Sequence, residues 1–292
     1  ELTFGITMQE HVGQPILLIK TAWGGKSLNT DFRSPSAGAY VFNDKQIEQF
    51  KKRDRNLAEV RQEKINSTGV YYRSMLEHIR KVLGDIQRVY PDYDAESGYE
   101  LSGFVWFQGW NDMVDAGTYP TRGQAGSYDA YSRNLAHFIR DVRKDLNAPK
   151  LPFVIGVMGA GGPIAKYGPD QKRYADIHGE FRKAMAAPAN LPEFRGNVTA
   201  VRTENYWDRE LSELVDRRGK INAKRRELSK DESLSREQRD KALADFNAKL
   251  FTKKELQTLE LGVSNAAYHY LGSAKILGQI GKAFADALAT MN

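Results

Sequence analysis

The sequence predicts an α/β fold, a parallel sheet with helices packed on both faces to give a three-layer α/β/α sandwich. Three observations predict it. Four short apolar runs, at 15–20, 104–108, 153–158 and 198–202, read as buried strands. Segments with helical spacing lie between them, and strands that alternate with helices pair in parallel. Glycine, tryptophan and carboxamide residues gather just after the runs, the pattern of a sheet edge that binds ligands.

The elements follow in order. The first run breaks into Thr21-Ala22-Trp23-Gly24-Gly25-Lys26-Ser27. Tyr72, Met75, Leu76, Ile79, Val82, Leu83 and Ile86 then recur on one helical face. The second run continues into Gln108-Gly109-Trp110-Asn111-Asp112, and Leu135, Phe138, Ile139, Val142 and Leu146 mark the next helix. Gly159-Ala160-Gly161-Gly162 follows the third run, and Thr203-Glu204-Asn205-Tyr206-Trp207-Asp208 the fourth. Residues 209–260 are highly charged and poor in glycine and aromatics. They read as two or three exposed helices, an insertion within a single domain 1–292 rather than a separate core. The segment 44–66 has the same character on a smaller scale, and 274–288 is a last amphipathic helix.

Composition narrows the function. At 292 residues the chain can bury a full core, with 41% hydrophobic and 27% charged residues. The absence of cysteine excludes disulfides, thiol catalysis and cysteine metal sites. No apolar run reaches the roughly 18 residues of a membrane span. The net charge is +6, but the basic residues are interleaved with acids, which predicts solvated helix faces and not a nucleic-acid stripe. No His-x-His or His-Glu-x-x-His spacing supports a metallohydrolase. The chain opens on Glu1 with no visible signal peptide, so its start is expected to have been processed or cut away.

In a parallel sheet all four strand endings share one edge. Gly24 and Gly25 let backbone N–H groups approach a ligand closely. Asn111, a neutral double donor at a strand end, suits a developing negative charge on oxygen, and Gln108 is a second carboxamide there. Together they predict an oxyanion hole for acyl transfer. A tight turn at Gly24-Gly25 and a loop-capping Asn111 are the other reading. Acyl transfer also needs a base. His11 lies in a glycine-containing turn, His78 and His137 in amphipathic helices, and His178 in a helix-like stretch. His269 sits in an uncharged aromatic segment just before the last helix and is the first candidate.

Ile19-Lys20-Thr21-Ala22-Trp23-Gly24-Gly25, Trp106-Phe107-Gln108-Gly109 and the late histidine resemble the SGNH-hydrolase superfamily. The nearest branch is the sialate O-acetylesterase-like carbohydrate esterases. Gly109-Trp110-Asn111-Asp112 is similar to the superfamily's third block and Gly24-Gly25 to its second. The resemblance spans most of the chain apart from the segment after Asp208. It implies a flavodoxin-like sheet and deacetylation of a sugar or polysaccharide by serine, histidine and usually aspartate. It also implies that no metal or other cofactor takes part, and a periplasmic or extracellular location. Trp23, Trp110, Asp112 and Tyr206 are the expected substrate contacts, the aromatics being core residues in the other reading.

Two departures from the family pattern shape the expectations. The family nucleophile lies in a Gly-Gln-Ser-Asn-like element, which does not occur here. The chain is therefore expected to lack its first strand and catalytic serine, and to be inactive alone. Ser27 matches the oxyanion block instead of the nucleophile block. The family acid usually stands three residues before the histidine, where this chain has Ala266. Asp208, at the end of the fourth run, is expected to replace it and to meet His269 in space, the alternative being a dyad oriented by a backbone carbonyl. A non-catalytic carbohydrate-binding or scaffold protein is the competing function.

Overall fold

Phe153, Val154, Ile155 and Val157 are all buried, and a strand hides every residue in a row only with helices on both faces. The computed structural model describes residues 1–291 apart from the Asp170 side chain. It opens with α1 (Leu2–Val12), α2 (Asp44–Lys52), α3 (Leu57–Ser67) and α4 (Val70–Leu83). Strand β1 (Phe104–Trp106) leads into the short α5 (Trp110–Val114) and then α6 (Asp129–Asp145). β2 (Phe153–Val157), α7 (Lys172–Ala186) and β3 (Val198–Arg202) follow. The chain ends in α8 (Arg209–Lys230), α9 (Arg236–Leu250), α10 (Lys253–Gly262) and α11 (Ala274–Ala289).

The strands pair in parallel in the order β1-β2-β3, with Phe104 opposite Phe153 and Phe153 opposite Val198. Alternate side chains feed two cores. Trp106, Phe153, Ile155 and Val157 pack with Leu135, Phe138, Phe181 and Met185 of α6 and α7 on one face. Val154 packs with Ile276, Ile280 and Phe284 of α11 on the other, where Met8 of α1 joins them. The sandwich of helix, parallel sheet and helix is thus the architecture.

The first apolar run departs from expectation. Residues 15–20 form no strand, and Leu17 and Leu18 remain 43% and 38% exposed. A strand exists only through a partner's backbone groups, and β1 is hydrogen-bonded on one edge only, to β2. The second run also stops short, at Trp106, because Gln108 turns away to bond the main chain of Lys26.

The charged segment folds as α8, α9 and α10 around a small cluster of Leu214, Ile221, Phe251 and Leu259. Asp208, Ser235 and Thr252 cap the three helices at their N-termini. The start of α8 touches the end of α10, where a Cβ added to Gly262 would lie 2.9 Å from Leu211 Cδ1. No helix among the described residues is long and apolar enough to cross a membrane.

Candidate active site

The turn after the first apolar run meets the segment after β1. Gly25 has φ +73°, and a Cβ added there would lie 3.9 Å from Asn111 Nδ2. Asn111 is half-buried, and its carboxamide makes no hydrogen bond among the described residues. A backbone turn open to ligand and an uncommitted N–H pair therefore face the same point. Gly24 stands beside them in open space.

Gln108 does not join them as a donor. Its Nε2 is spent on Lys26 O at 2.9 Å and Asp112 Oδ2 at 2.8 Å, so it ties the Gly24-Gly25 turn to the end of β1. Asp112 likewise turns inward. It is 1% exposed and accepts from Leu28 N at 2.7 Å, Asn29 N at 3.0 Å, Gln108 Nε2 and Tyr119 Oη at 3.4 Å. The expected substrate contact is instead the buried pin that fixes the loop behind Gly25. Burial pushes its pKa up to about 6 against the pull of these four donors.

The other strand endings are closed over by the loop that carries His269. Thr203 Oγ1 donates to Val157 O at 2.7 Å and so accepts from the Tyr270 hydroxyl, also at 2.7 Å. The same Tyr270 oxygen accepts from Gly159 N at 2.7 Å. Arg182, 2% exposed, pairs with Glu204 and donates to the carbonyls of Gly162 and Ala160, fixing the glycine loop after β2. Tyr270 and Leu271 have φ of 55° and 61°, a left-handed conformation that costs non-glycine residues about 1–2 kcal/mol each. The bonds of Tyr270, with Ser264 N and Asn265 N donating to Leu271 O, hold that strain in place. Tyr270→Phe leaves the Gly159 N–H buried without a partner and is expected to cost about 1–3 kcal/mol. Urea unfolding checks this, and an unchanged midpoint would show that the bridge carries no stability.

Within that loop His269 Nδ1 lies 3.0 Å from Asn265 Oδ1. The same Asn265 atom accepts from Ala266 N at 2.8 Å, which identifies it as the oxygen. Nδ1 of the neutral imidazole must then carry the proton, and Nε2 the lone pair, which is the tautomer a general base needs. The Tyr268 ring spans from His269, at 4.4 Å between ring centres, to Trp110 at 5.4 Å, and Trp110 adjoins Asn111.

The expected pair of Asp208 and His269 does not form. One Asp208 oxygen accepts from Leu211 N at the start of α8, and the other binds Lys275 Nζ at 2.7 Å. The group that meets His269 Nδ1 is the side-chain carbonyl of Asn265 and not a carboxylate. Sequence reasoning missed Asn265 and Tyr270, although both lie in the uncharged segment that singled out His269. Of the remaining candidates, Trp23 packs edge-on to Tyr71 at 5.2 Å with part of its ring exposed, and Tyr206 packs against the core beneath α11. Ser27 Oγ donates to Asp31 Oδ2 at 2.9 Å and caps a turn. His178, buried in α7, bonds Tyr167 Oη at 2.8 Å, and burial lowers its pKa to about 4. His11 ends α1 and pairs with Asp286 at 3.1 Å.

A family model described as carbohydrate esterase, sialic acid-specific acetylesterase, matches residues 1–205. The chain belongs to this family. The match takes in all three strands and the Gly25–Asn111 pairing of this carbohydrate esterase, and it stops just before α8. No curated protein and no solved structure matches the chain.

Proposed function

We propose that this chain supplies the oxyanion site and general base of a serine-type carbohydrate esterase that removes O-acetyl groups from sugars or polysaccharide. The observation that carries the reading is the uncommitted Asn111 carboxamide against Gly25, linked through Trp110 and Tyr268 to a histidine with its Nε2 lone pair available. The nucleophile is a serine upstream of residue 1, in the Gly-Gln-Ser-Asn-like element that the resemblance implies. A strand bearing it would have the open edge of β1 to pair with. The same reading treats 1–292 as one domain with 209–260 inserted, acting outside the cell or in the periplasm.

In the reaction, His269 Nε2 takes the serine hydroxyl proton as the serine oxygen attacks the acetyl carbonyl carbon. Gly25 N–H and the Asn111 amide donate to the oxyanion of the tetrahedral intermediate. The C–O bond to the sugar then breaks, and the imidazolium returns its proton to the departing sugar oxygen. Water, deprotonated by the same nitrogen, attacks the acetyl-serine and releases acetate and the serine. Asn265 Oδ1 keeps Nδ1–H in place throughout. Trp23 and Trp110 offer their exposed ring area to a sugar.

Acetate release from acetylated sugars tests the proposal on this chain and on a form extended upstream. Activity in the extended form alone, lost in His269→Ala and at least tenfold lower in Asn265→Leu, is the expected result. Activity of the short chain would move the nucleophile elsewhere. Silence of both, with sugar binding retained, would favour a non-catalytic carbohydrate-binding protein.

A further inference from the structure

A cavity of about 280 Å³ opens between the loop after Asn29, the start of α2 and the exposed side of α6. Its volume lies just below the usual range of ligand sites and leaves room for one small ring. Two arginines and a histidine line it, Arg33, Arg133 and His137, together with Tyr40. Among the described residues neither arginine is paired with a carboxylate. Arg33 donates only to neutral oxygens, those of Ala37, Gly38, Ala39 and Asn29 in the main chain and of the Asn29 and Asn134 carboxamides. Its charge is half-buried and uncompensated, and burial holds its pKa below the usual range. Arg133 is exposed at the rim with its donors unused. His137 turns Nδ1 to Ser36 Oγ at 2.9 Å, and Asp141 is engaged by Ser36 N at 2.8 Å.

The rest of the lining has a different character. Thr118 and Tyr40 contribute hydroxyls that lie 3.2 Å apart, while Ala37, Val41 and Ala130 contribute small aliphatic surfaces. Asn29, 6% exposed, has an Nδ2 with no partner, and its Oδ1 is fixed as the acceptor by Asn134 Nδ2 at 3.0 Å. Uncompensated positive charge, hydroxyl and carboxamide groups, and small apolar walls together match a ring that bears hydroxyls, C–H edges and one negative group. A phosphate would call for a nest of free backbone N–H groups or a second free arginine, and neither is present among the lining residues.

We propose that this cavity is a binding site for a sugar acid, with the carboxylate held between Arg133 and the Arg33 charge and the ring against Thr118 and the alanines. The inference rests on the cavity alone and is independent of the catalytic reading, since binding is measured without turnover.

Titration calorimetry of this chain at low ionic strength with D-glucuronate, D-glucose and acetate tests it. Saturable glucuronate binding is expected, with glucose and acetate each about tenfold weaker or more. Arg133→Glu, a surface change that leaves the fold intact, is expected to weaken glucuronate about tenfold without lowering the melting temperature. Glucose binding as tightly as glucuronate would overturn the proposal by removing the carboxylate from recognition. Acetate binding as tightly would overturn it by removing the ring. An unaffected Arg133→Glu variant, or no saturable binding of glucuronate, would overturn it outright.

Discussion

Asn111→Ala in the upstream-extended form is expected to lower kcat for deacetylation by about 10²–10³-fold with KM little changed. The reason lies in what each carboxamide at the end of β1 is already doing. The Asn111 carboxamide makes no hydrogen bond among the described residues and lies against Gly25, so its N–H groups are free for charge that develops only in the transition state. Gln108, three residues earlier, has both amide hydrogens committed to Lys26 O and Asp112. Gln108→Ala should therefore act through stability, lowering the unfolding free energy by about 1–3 kcal/mol as two buried acceptors lose their donor. Steady-state kinetics and urea unfolding on the two variants separate these effects. A less than threefold effect of Asn111→Ala on kcat, against the loss expected for an oxyanion donor, would take Asn111 out of the proposed site.

The second large effect is a pair of opposed pH dependences that conceal each other. His178 is buried neutral with a pKa of about 4 against an ordinary 6.5. The unfolded chain binds its proton first as pH falls, so the stability His178 contributes is full above pH 6.5 and lost on descending toward pH 4. Asp112 has a pKa of about 6 against an ordinary 3.8. Here the folded chain binds the proton first, so its contribution is full below pH 3.8 and lost as pH rises through 6. Each shift corresponds to something on the order of 3 kcal/mol, and the two windows overlap. Between pH 4 and 6 they nearly cancel in the native chain. His178→Gln should leave a curve whose stability falls with rising pH over that range. Asp112→Asn, destabilised throughout because a carboxamide presents N–H where four donors converge, should tilt the other way. Urea midpoints at half-unit pH intervals reveal both tilts, and parallel curves for all three proteins would refute the opposed titrations.

What was legible in the sequence is what a single residue type dictates locally. The run that became β2 is apolar at every position, and only a covered parallel strand accommodates that. Gly25 follows the first apolar run and Asn111 follows β1, and the fold brings the two together. The first run carried the same apolar signal, but a strand also needs an edge to bond, and no local property of Ile16 to Ile19 reveals one. Asp112 was misread because a carboxylate beside an asparagine gives no sign that the N–H groups of Leu28 and Asn29 will return to it from 84 and 83 positions away. Asp208 was readable in another way, since an aspartate just before a charged helix is a capping signal, and capping is what it does. Asn265 stands four positions before His269, but that spacing marks a contact only within a regular helix, and the segment folds as a 3-10 turn after Ala266.

The long charged segment separates Asp208 from Ser264 along the chain, yet its two ends are drawn together like the neck of a purse. Leu211 meets Gly262 at the neck, and just inside it Thr203 is bonded to Tyr270. The placement of His269 over the sheet is therefore indifferent to how much polypeptide hangs beyond the clasp. Because the entropy of closing a loop grows only with the logarithm of its length, helices can be lengthened, trimmed or exchanged there at small cost. Natural variation is thus free to remodel this appendage while the imidazole keeps its post.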